Sequence, residues 1–361
     1  MILGYKNDKL ELNKVRDLQS SLFTKVKSKD VYITDEYVLY NDNGNCKYLN
    51  KHLSSNNNSN DDDESVLMKF LNVLKDKDIG ISRLFIGCTS LIVYIDKDKY
   101  IYMYSETIER IGFSITIKKV SMIMIIIMII MIIIMIIIKI SVSDDHMLIL
   151  SNDLILYSCG YNSYGKLGIN NDINRNYNQL MNVAVPDDEV VIDISTSVHH
   201  SAFITRNGKC YTFGSGHLFI LGHGDYNDHK IPKLVEELVE LNVVKISCGL
   251  MHTCCVTDNQ DVYIWGVSVE KSNKKILGLP TRLELTETNI SISSIISGSR
   301  YVAMLCQNYS KVIAIGQLGV YDYDSNDSDD NIKCRTVFET FQNNIISITP
   351  SQYEIGILLN S

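Results

Sequence analysis

Apolar and β-branched residues alternate with polar ones in short runs along most of this chain, and helical periodicity is weak. The clearest unit joins three such runs, residues 243–249, 252–257 and 262–266, through a Gly-Xaa-Xaa-His corner and an Asp-Asn-Gln-Asp turn. Alternating β-branched and aromatic residues bounded by Gly, Asn and Asp are typical of short antiparallel strands joined by hairpins. The pattern therefore predicts an all-β protein.

Each unit ends in an anchor position, where an aromatic strand meets a glycine in the best copies. The anchor recurs at Gly4, Asn50, Ser105, Gly160, Gly214, Gly266 and Gly316. The last four are 54, 52 and 50 residues apart. Self-similarity at such a period indicates a propeller or another repeat array.

The two ends of the chain look like two parts of one unit. Residues 345–348 and 355–359 resemble the first half of a unit, and Ile2-Leu3-Gly4-Tyr5 resembles its anchor. Pairing the terminal strands would remove the free sheet edges that otherwise invite aggregation. We therefore expect residues 1–361 to form one seven-bladed β-propeller domain, closed by its N- and C-terminal strands, with the best-preserved repeats at 140–270.

A run of Ile and Met at residues 122–138 interrupts the polar alternation, with lysines on both sides. Its seventeen residues reach the lower limit for a membrane-spanning helix. The repeat period continues in register before and after the run, which favours a blade segment that is strand or poorly formed structure. A membrane span and a gene-model artefact are the alternatives.

Two acidic, low-complexity loops occupy equivalent places in the repeat. Residues 56–64 begin six residues after Asn50, and residues 322–330 begin six residues after Gly316. Equivalent positions of a radial repeat project from the same side, so both loops should emerge on one face. They are either solvated loops or contacts for a partner.

Charge and cysteine content narrow the class of partner and compartment. The net charge of −8 makes a nucleic-acid backbone a poor partner and favours a basic protein surface. The nine cysteines form no paired CxxC motif, which indicates buried reduced thiols in an intracellular protein. The first residues lack the pattern of a secretory signal. We expect a monomer in the cytoplasm or the nucleus.

Several short motifs together resemble one repeat family. They are Cys248-Gly249, His252-Thr253, Trp265-Gly266, Leu221-Gly222-His223-Gly224-Asp225 and the following Pro232. As a set they resemble the regulator of chromosome condensation repeat. The resemblance implies a seven-bladed propeller with four-stranded blades and closure between the termini.

The repeated glycines are predicted to be structural, because glycine allows a positive φ or a close strand approach where the chain leaves a strand. This set comprises Gly160, Gly168, Gly214, Gly222, Gly266 and Gly316. A phosphate-binding loop is the alternative, but no Lys-Ser/Thr pair or helix start follows any of them. No cofactor is expected.

Polar residues at the corners are the candidates for partner binding. In the family, such residues on one propeller face act in guanine-nucleotide exchange, and the resemblance carries that role to Asp145, His146, His199 and His252. A hydrogen bond within the corner is the alternative for the histidines at its repeated position. No metal is expected, since His217, His223 and His229 lack the ligand spacing of a zinc site.

Two functions are consistent with these observations. The first is a binding scaffold or regulator that recognises a protein partner and has no catalytic activity of its own. The alternative is a guanine-nucleotide exchange factor for a small GTPase, which the resemblance implies. In both cases recognition should depend on the corner residues that differ between copies, because the repeated residues build the blades.

Overall fold

The computed structural model describes residues 2–6, 9–13, 31–33, 37–42, 45–50, 81–86, 92–96, 101–104, 137–171, 173–269, 275–285, 290–306, 311–316, 337–340, 345–350 and 355–359. These residues contain strands and three 3-10 turns but no α-helix. The strands form seven antiparallel sheets, named blades 1 to 7 below. The predicted fold class, an all-β propeller, is confirmed.

The strands of each blade are as follows. Blade 1 contains β1 (Ile2–Lys6), β2 (Lys9–Asn13), β25 (Ile345–Pro350) and β26 (Ile355–Leu359). Blade 2 contains β3 (Val31–Ile33), β4 (Tyr37–Asp42) and β5 (Asn45–Asn50), and blade 3 contains β6 (Ile81–Ile86), β7 (Ile92–Asp96) and β8 (Ile101–Tyr104). Blade 4 contains β9 (Ile137–Val142), β10 (His146–Ser151), β11 (Leu156–Tyr161) and β12 (Asn176–Asn182). Blade 5 contains β13 (Val191–Thr196), β14 (His200–Thr205), β15 (Cys210–Gly214) and β16 (His229–Leu234). Blade 6 contains β17 (Val243–Cys248), β18 (His252–Thr257), β19 (Val262–Val267) and β20 (Ile276–Arg282). Blade 7 contains β21 (Ile292–Ser297), β22 (Tyr301–Cys306), β23 (Lys311–Gly316) and β24 (Val337–Thr340).

The terminal strands share one sheet. β1 pairs with β26, so that Ile2 lies opposite Gly356 and Leu3 lies opposite Ile355. The innermost strands contact one another in the order β9, β13, β17, β21, β25, β3 and β6, and β6 contacts β9 again. These contacts follow a circle around a central axis.

Apolar side chains fill the space between neighbouring blades. Between blades 5 and 6, Ile204 of β14 belongs to the same buried cluster as Val243 of β17 and Trp265 of β19. The indole nitrogen of Trp265 is satisfied by the carbonyl of Ile220 at 2.8 Å. Burial of such side chains is the dominant favourable contribution to folding, and here each cluster belongs to two blades.

Hydroxyl groups connect the innermost strands near the axis. The Ser141 and Thr196 hydroxyls lie 2.9 Å apart between blades 4 and 5. The Cys248 backbone N–H donates to the Ser195 hydroxyl at 2.9 Å between blades 5 and 6. These bonds satisfy polar groups where neighbouring sheets do not pair directly.

Most of the low-complexity sequence lies outside the described residues. This applies to residues 122–136 of the Ile/Met run and to both acidic loops, 56–64 and 322–330. The last two residues of the run, Ile137 and Ile138, begin β9. In the part of the chain that the structure describes, no helix is long and apolar enough to cross a membrane.

Six of the cysteines are buried free thiols: Cys159, Cys210, Cys248, Cys254, Cys255 and Cys306. Burial raises the pKa of Cys159 to about 12, and it raises that of Cys254 to about 12 as well. A thiol with so high a pKa carries almost no thiolate at neutral pH, so these side chains pack as small apolar groups.

Candidate partner-binding site

The anchor glycines bring the corner of each blade close to the next strand. Gly160 lies opposite His146, and Gly214 lies opposite His200. Their φ angles are +114° and +111°, and a Cβ on Gly160 would stand 2.3 Å from the carbonyl oxygen of Asp145. A side chain fits neither the backbone conformation nor the space. All six glycines predicted to be structural have positive φ: Gly160, Gly168, Gly214, Gly222, Gly266 and Gly316.

Histidines at the corners connect successive blades. His146 Nε2 lies 2.8 Å from the Ser201 hydroxyl, and His200 Nε2 lies 2.6 Å from the Thr253 hydroxyl. Ser201 and Thr253 are the second residues of β14 and β18, and the equivalent residue of β22 is Val302. His252 Nε2 accordingly has no hydrogen-bond partner among the described residues. The series of imidazole–hydroxyl bonds therefore runs from blade 4 to blade 6 and ends there.

Two of the four candidate partner-binding residues lie in the interior. His146 is 0% exposed and His252 is 1% exposed. Burial lowers the pKa of His146 to about 4, and it lowers the pKa of His252 to about 4. Both rings are therefore neutral at pH 7, and neither is open to a partner in this structure. They support the corner, as the alternative interpretation of the repeated histidines expects.

A buried lysine connects the two corners that contain the other two candidates. The Lys166 ammonium donates to Asp145 Oδ2 at 2.7 Å and to the carbonyl oxygen of Val198 at 3.0 Å. The Lys166 side chain is 3% exposed, and that of Asp145 is 21% exposed. Lys166 follows β11 of blade 4, whereas Val198 precedes β14 of blade 5. The lysine thus joins the corners of two blades.

The electrostatic balance keeps this ion pair charged. Burial raises the pKa of Asp145, but its hydrogen bond to His146 and the positive charge of Lys166 outweigh that effect, so the pKa is lowered overall. Burial lowers the pKa of Lys166, and the Asp145 carboxylate opposes the change. A buried charge is tolerated only when it is paired and hydrogen-bonded, and Lys166 meets both conditions.

His199 is the exposed member of the group. It follows Val198 directly, and partial burial together with the positive charges of Lys166 and His217 lowers its pKa. His217 is also exposed and begins the 3-10 turn after β15. Asp144, Asp145, Lys166, His199 and His217 are named the blade 4–5 corner surface below.

Family models match the part of the chain that forms blades 5 and 6. The regulator of chromosome condensation (RCC1) repeat model matches residues 207–256, and a second model of the same repeat matches residues 243–270. Residues 207–270 are RCC1 repeats.

Solved RCC1-type propellers have the same fold over most of the chain. Human WBSCR16 superposes with a TM-score of 0.68 at 12% identity, covering 93% of this chain and 88% of that protein. Yeast RCC1 (Prp20) bound to Kap60 superposes with a TM-score of 0.63 at 15% identity, covering 94% and 82%. Prp20p from Saccharomyces cerevisiae, studied for its binding properties to Gsp1p and histones, gives a TM-score of 0.55 at 16% identity, covering 77% and 68%. The neighbours establish an RCC1-type β-propeller fold.

Curated relatives match a shorter segment. The human E3 ubiquitin-protein ligase HERC2 is 39% identical over 127 residues, which is 34% of this chain and 2% of that protein. The Danio rerio serine/threonine-protein kinase Nek8 is 40% identical over 79 residues, which is 22% of this chain and 11% of that protein. The chain therefore spans only a small part of the length of these relatives.

Sequence reasoning missed Lys166, although a comparison with the following repeat contains a signal for it. Lys166-Leu167-Gly168 aligns with Ile220-Leu221-Gly222 one repeat later. The backbone role is the same, since the Lys166 carbonyl accepts from Ser201 and the Ile220 carbonyl accepts from Thr253. Only the side chain differs. A lysine at a position where the next repeat has isoleucine marks a place where this blade makes a contact that the next blade lacks.

Two of the three histidines considered for zinc have other partners. His223 and His229 pack edge to face with ring centroids 4.8 Å apart, and His223 Nε2 lies 3.0 Å from the Thr212 hydroxyl. Within the described residues, no group of three His, Cys, Asp or Glu side chains could hold a metal ion.

Removing Asp145 and removing Lys166 should have unequal effects on stability. We expect Asp145→Ala to lower the free energy of unfolding by about 2 to 3 kcal/mol, because it leaves the Lys166 ammonium buried without a counter-charge. Lys166→Ile introduces the residue of the next repeat and should cost less, since Asp145 keeps access to water. The double variant should resemble Lys166→Ile alone. Urea unfolding of the four proteins measures the coupling, and additive effects within about 0.5 kcal/mol would contradict the buried pair.

Proposed function

We propose that this protein is a binding propeller, a scaffold or regulator whose protein partner contacts the blade 4–5 corner surface. The observation that carries the proposal is the difference between corners built on one plan. The residues before the corner histidine or tyrosine are Asp144-Asp145 in blade 4, Val198-His199 in blade 5, Leu250-Met251 in blade 6 and Ser299-Arg300 in blade 7. Specific recognition requires such differences, because a partner cannot distinguish blades that present identical residues.

The corner surface is rigid before any partner arrives. Lys166 is held by Asp145 and by the carbonyl of Val198, and His146 is held between the hydroxyls of Ser143 and Ser201. A surface that is already ordered loses little side-chain entropy on binding. It offers an ionised carboxylate at Asp145 beside the neutral imidazole of His199, which can both donate and accept a hydrogen bond.

The overall charge favours a basic partner. A net charge of −8 steers positively charged surfaces toward the protein and raises the association rate more than the final affinity. Association should therefore weaken as salt concentration rises.

The second candidate is guanine-nucleotide exchange on a small GTPase. It is supported by the place of Asp145 and His199 on the corners of an RCC1-type propeller and by the likeness to Prp20p, which has been studied for binding to Gsp1p. Exchange needs no nucleophile. A protein that binds the nucleotide-free GTPase more tightly than the loaded form shifts the equilibrium toward nucleotide release.

Partner binding is expected to depend on His199. His199→Ala removes an exposed side chain, so we expect at least a tenfold loss of partner binding with an unchanged melting temperature. Asp145→Ala is a poorer probe because it also disturbs Lys166. The control is Glu240→Ala, also exposed, in the connection between β16 and β17 at the opposite end of the blade from the corners. Quantitative affinity capture with the three proteins is the measurement; equal capture by wild type and His199→Ala would contradict the proposed surface.

The same variants separate the two candidate functions. If the protein is an exchange factor, it accelerates release of a labelled nucleotide from at least one member of a panel of small GTPases. His199→Ala should then slow that release, whereas Glu240→Ala should not. An absence of acceleration across the panel, together with capture that depends on His199, would leave the scaffold.

A further inference from the structure

The innermost strands share a β-bulge at one position. The register shifts between Val191 and Asp193 in blade 5 and between Val243 and Lys245 in blade 6. The same shift occurs in blades 1, 3, 4 and 7. A bulge inserts an unpaired residue and re-aims the side chains that follow it. The residues directly after the bulge are Arg83, Lys139, Asp193, Lys245, Ser294 and Ser347.

The residues after the bulge in blades 4 to 7 line one cavity on the central axis. Its volume is about 360 Å³. The polar part of the lining is Lys139, Asp193, Lys245 and Ser294 with Ser293, and the remainder is Ile192, Val244, Ile246 and Ile295. A cavity of this size lies within the range of small-ligand sites, and its accessible lining is more polar than apolar.

The charges in this cavity do not cancel. Lys139 and Asp193 form an ion pair with each other. Lys245 is half-buried, and none of the hydrogen bonds and ion pairs formed among the described residues involves its ammonium group. The described lining therefore carries one uncompensated positive charge, in a protein whose net charge is −8. In blade 3 the equivalent register position is occupied by Arg83.

A positive charge in a confined channel favours an anion more strongly than the same charge on an open surface does. Partial enclosure by protein reduces solvent screening and strengthens the field of the charge. An ammonium group is a compact positive charge with three N–H donors. These donors can bind either phosphate or carboxylate oxygens. A serine hydroxyl beside it supplies a further donor.

We propose that the central cavity binds a small anion with phosphate or carboxylate groups, held by the Lys245 ammonium and the Ser294 hydroxyl beside the Lys139–Asp193 pair. This site is independent of the blade 4–5 corner surface, because the two share no residue. The same chemistry could come from a free metabolite or from an acidic side chain of a partner protein. The test therefore includes both sources.

Calorimetric titration at low ionic strength tests the proposal, with inorganic phosphate, pyrophosphate, citrate and a hexaglutamate peptide as probes. We expect at least one probe to bind, and we expect Lys245→Met to weaken it at least tenfold. Asp193→Asn should strengthen binding several-fold, because it removes the negative charge and releases Lys139. The matched control is Lys275→Met, the same change at an exposed lysine beside the outermost strand of the same blade.

The outcomes separate a built site from general charge attraction. Binding that is lost in Lys245→Met and kept in Lys275→Met supports the cavity site. Tighter binding of phosphate, pyrophosphate or citrate would indicate a free metabolite as the natural ligand, and tighter binding of hexaglutamate would indicate an acidic side chain of a partner protein. Equal weakening by both lysine variants would overturn the proposal, as would an absence of binding for all four probes. Thermal unfolding of Lys245→Met without ligand shows whether the variant is folded, and Asp193→Asn provides a change of opposite sign if it is not.

Discussion

Acidification from about pH 7 to about pH 5 is expected to destabilise this protein steeply. His146, His200 and His252 are buried, and burial lowers their pKa values to about 4, about 3 and about 4. The ordinary pKa is 6.5. Between these values the unfolded chain binds protons that the folded chain does not, so stability is full above about pH 6.5 and falls as the pH decreases. Each histidine contributes about 1.4 kcal/mol per pH unit once it titrates, so the three together cost several kcal/mol by about pH 5.

Charged groups near the three imidazole rings raise or lower the individual pKa values, but each pKa stays below its ordinary value, so stability still falls with decreasing pH. Desolvation is the largest cause at each ring. The Asp145 carboxylate raises the pKa of His146 and Lys166 lowers it. His200 faces three other histidines, which lower its pKa further. The carboxylate of Asp145 contributes at lower pH, because its pKa in the folded protein lies below the ordinary value of 3.8.

Urea unfolding at several pH values measures the effect. His200→Gln should reduce stability at neutral pH but make the pH dependence shallower by about a quarter, because burial also lowers the pKa of His223 to about 3 and one of four such titrations is lost. The neighbouring His199→Gln is the matched control, since the His199 side chain is exposed. A pH dependence that is as steep in His200→Gln as in the wild type would contradict the role of the buried rings.

The sequence predicts the blades well because their signals are local. Alternating apolar residues, anchor glycines and turn residues all act within one hairpin, and each hairpin is repeated. The pairing of β1 with β26 could also be predicted from the sequence, because two half units at the ends of a periodic chain complement each other. Residues 122–136 and the acidic loops lie outside the described residues, so those predictions stay predictions.

The candidate site is harder to predict because its contacts join different repeats. Lys166 reaches the carbonyl of Val198 across 32 residues, and His146 reaches Ser201 across 55. The sequence identified the corner as the place of interest and selected Asp145 and His199, which border the surface. It could not separate them from His146 and His252, because burial at a corner depends on the neighbouring blade. The polar and charged residues that line the central cavity were missed for a similar reason. They occupy equivalent positions of the innermost strands only when the β-bulge in each strand is taken into account.

Replacing Gly214 with alanine is expected to cost about 4 kcal/mol of unfolding free energy. The φ of Gly214 is +111°, a conformation that side chains rarely adopt, and holding another residue there costs about 1 to 3 kcal/mol. The new Cβ would lie 2.7 Å from the carbonyl oxygen of His199 and 2.9 Å from the Cα of His200. Both are backbone atoms of the paired corner, so relief requires shifting β14 away from β15, at a further cost of about 1 to 3 kcal/mol.

Gly278→Ala provides the matched control for this change. Gly278 lies in β20 and its φ is not positive, and a Cβ there would meet Phe219 ring carbons at 3.4 and 3.6 Å, at the edge of ordinary contact. We expect its stability to stay within about 0.5 kcal/mol of the wild type. Urea unfolding at neutral pH gives both values. Equal stability of the two variants would mean that the corner relaxes freely, and the rigidity assigned to His199 and its neighbours would then be wrong. A large loss in Gly214→Ala alone would tie the anchor glycine to the geometry of the blade 4–5 corner surface, because the displaced carbonyl belongs to His199 itself.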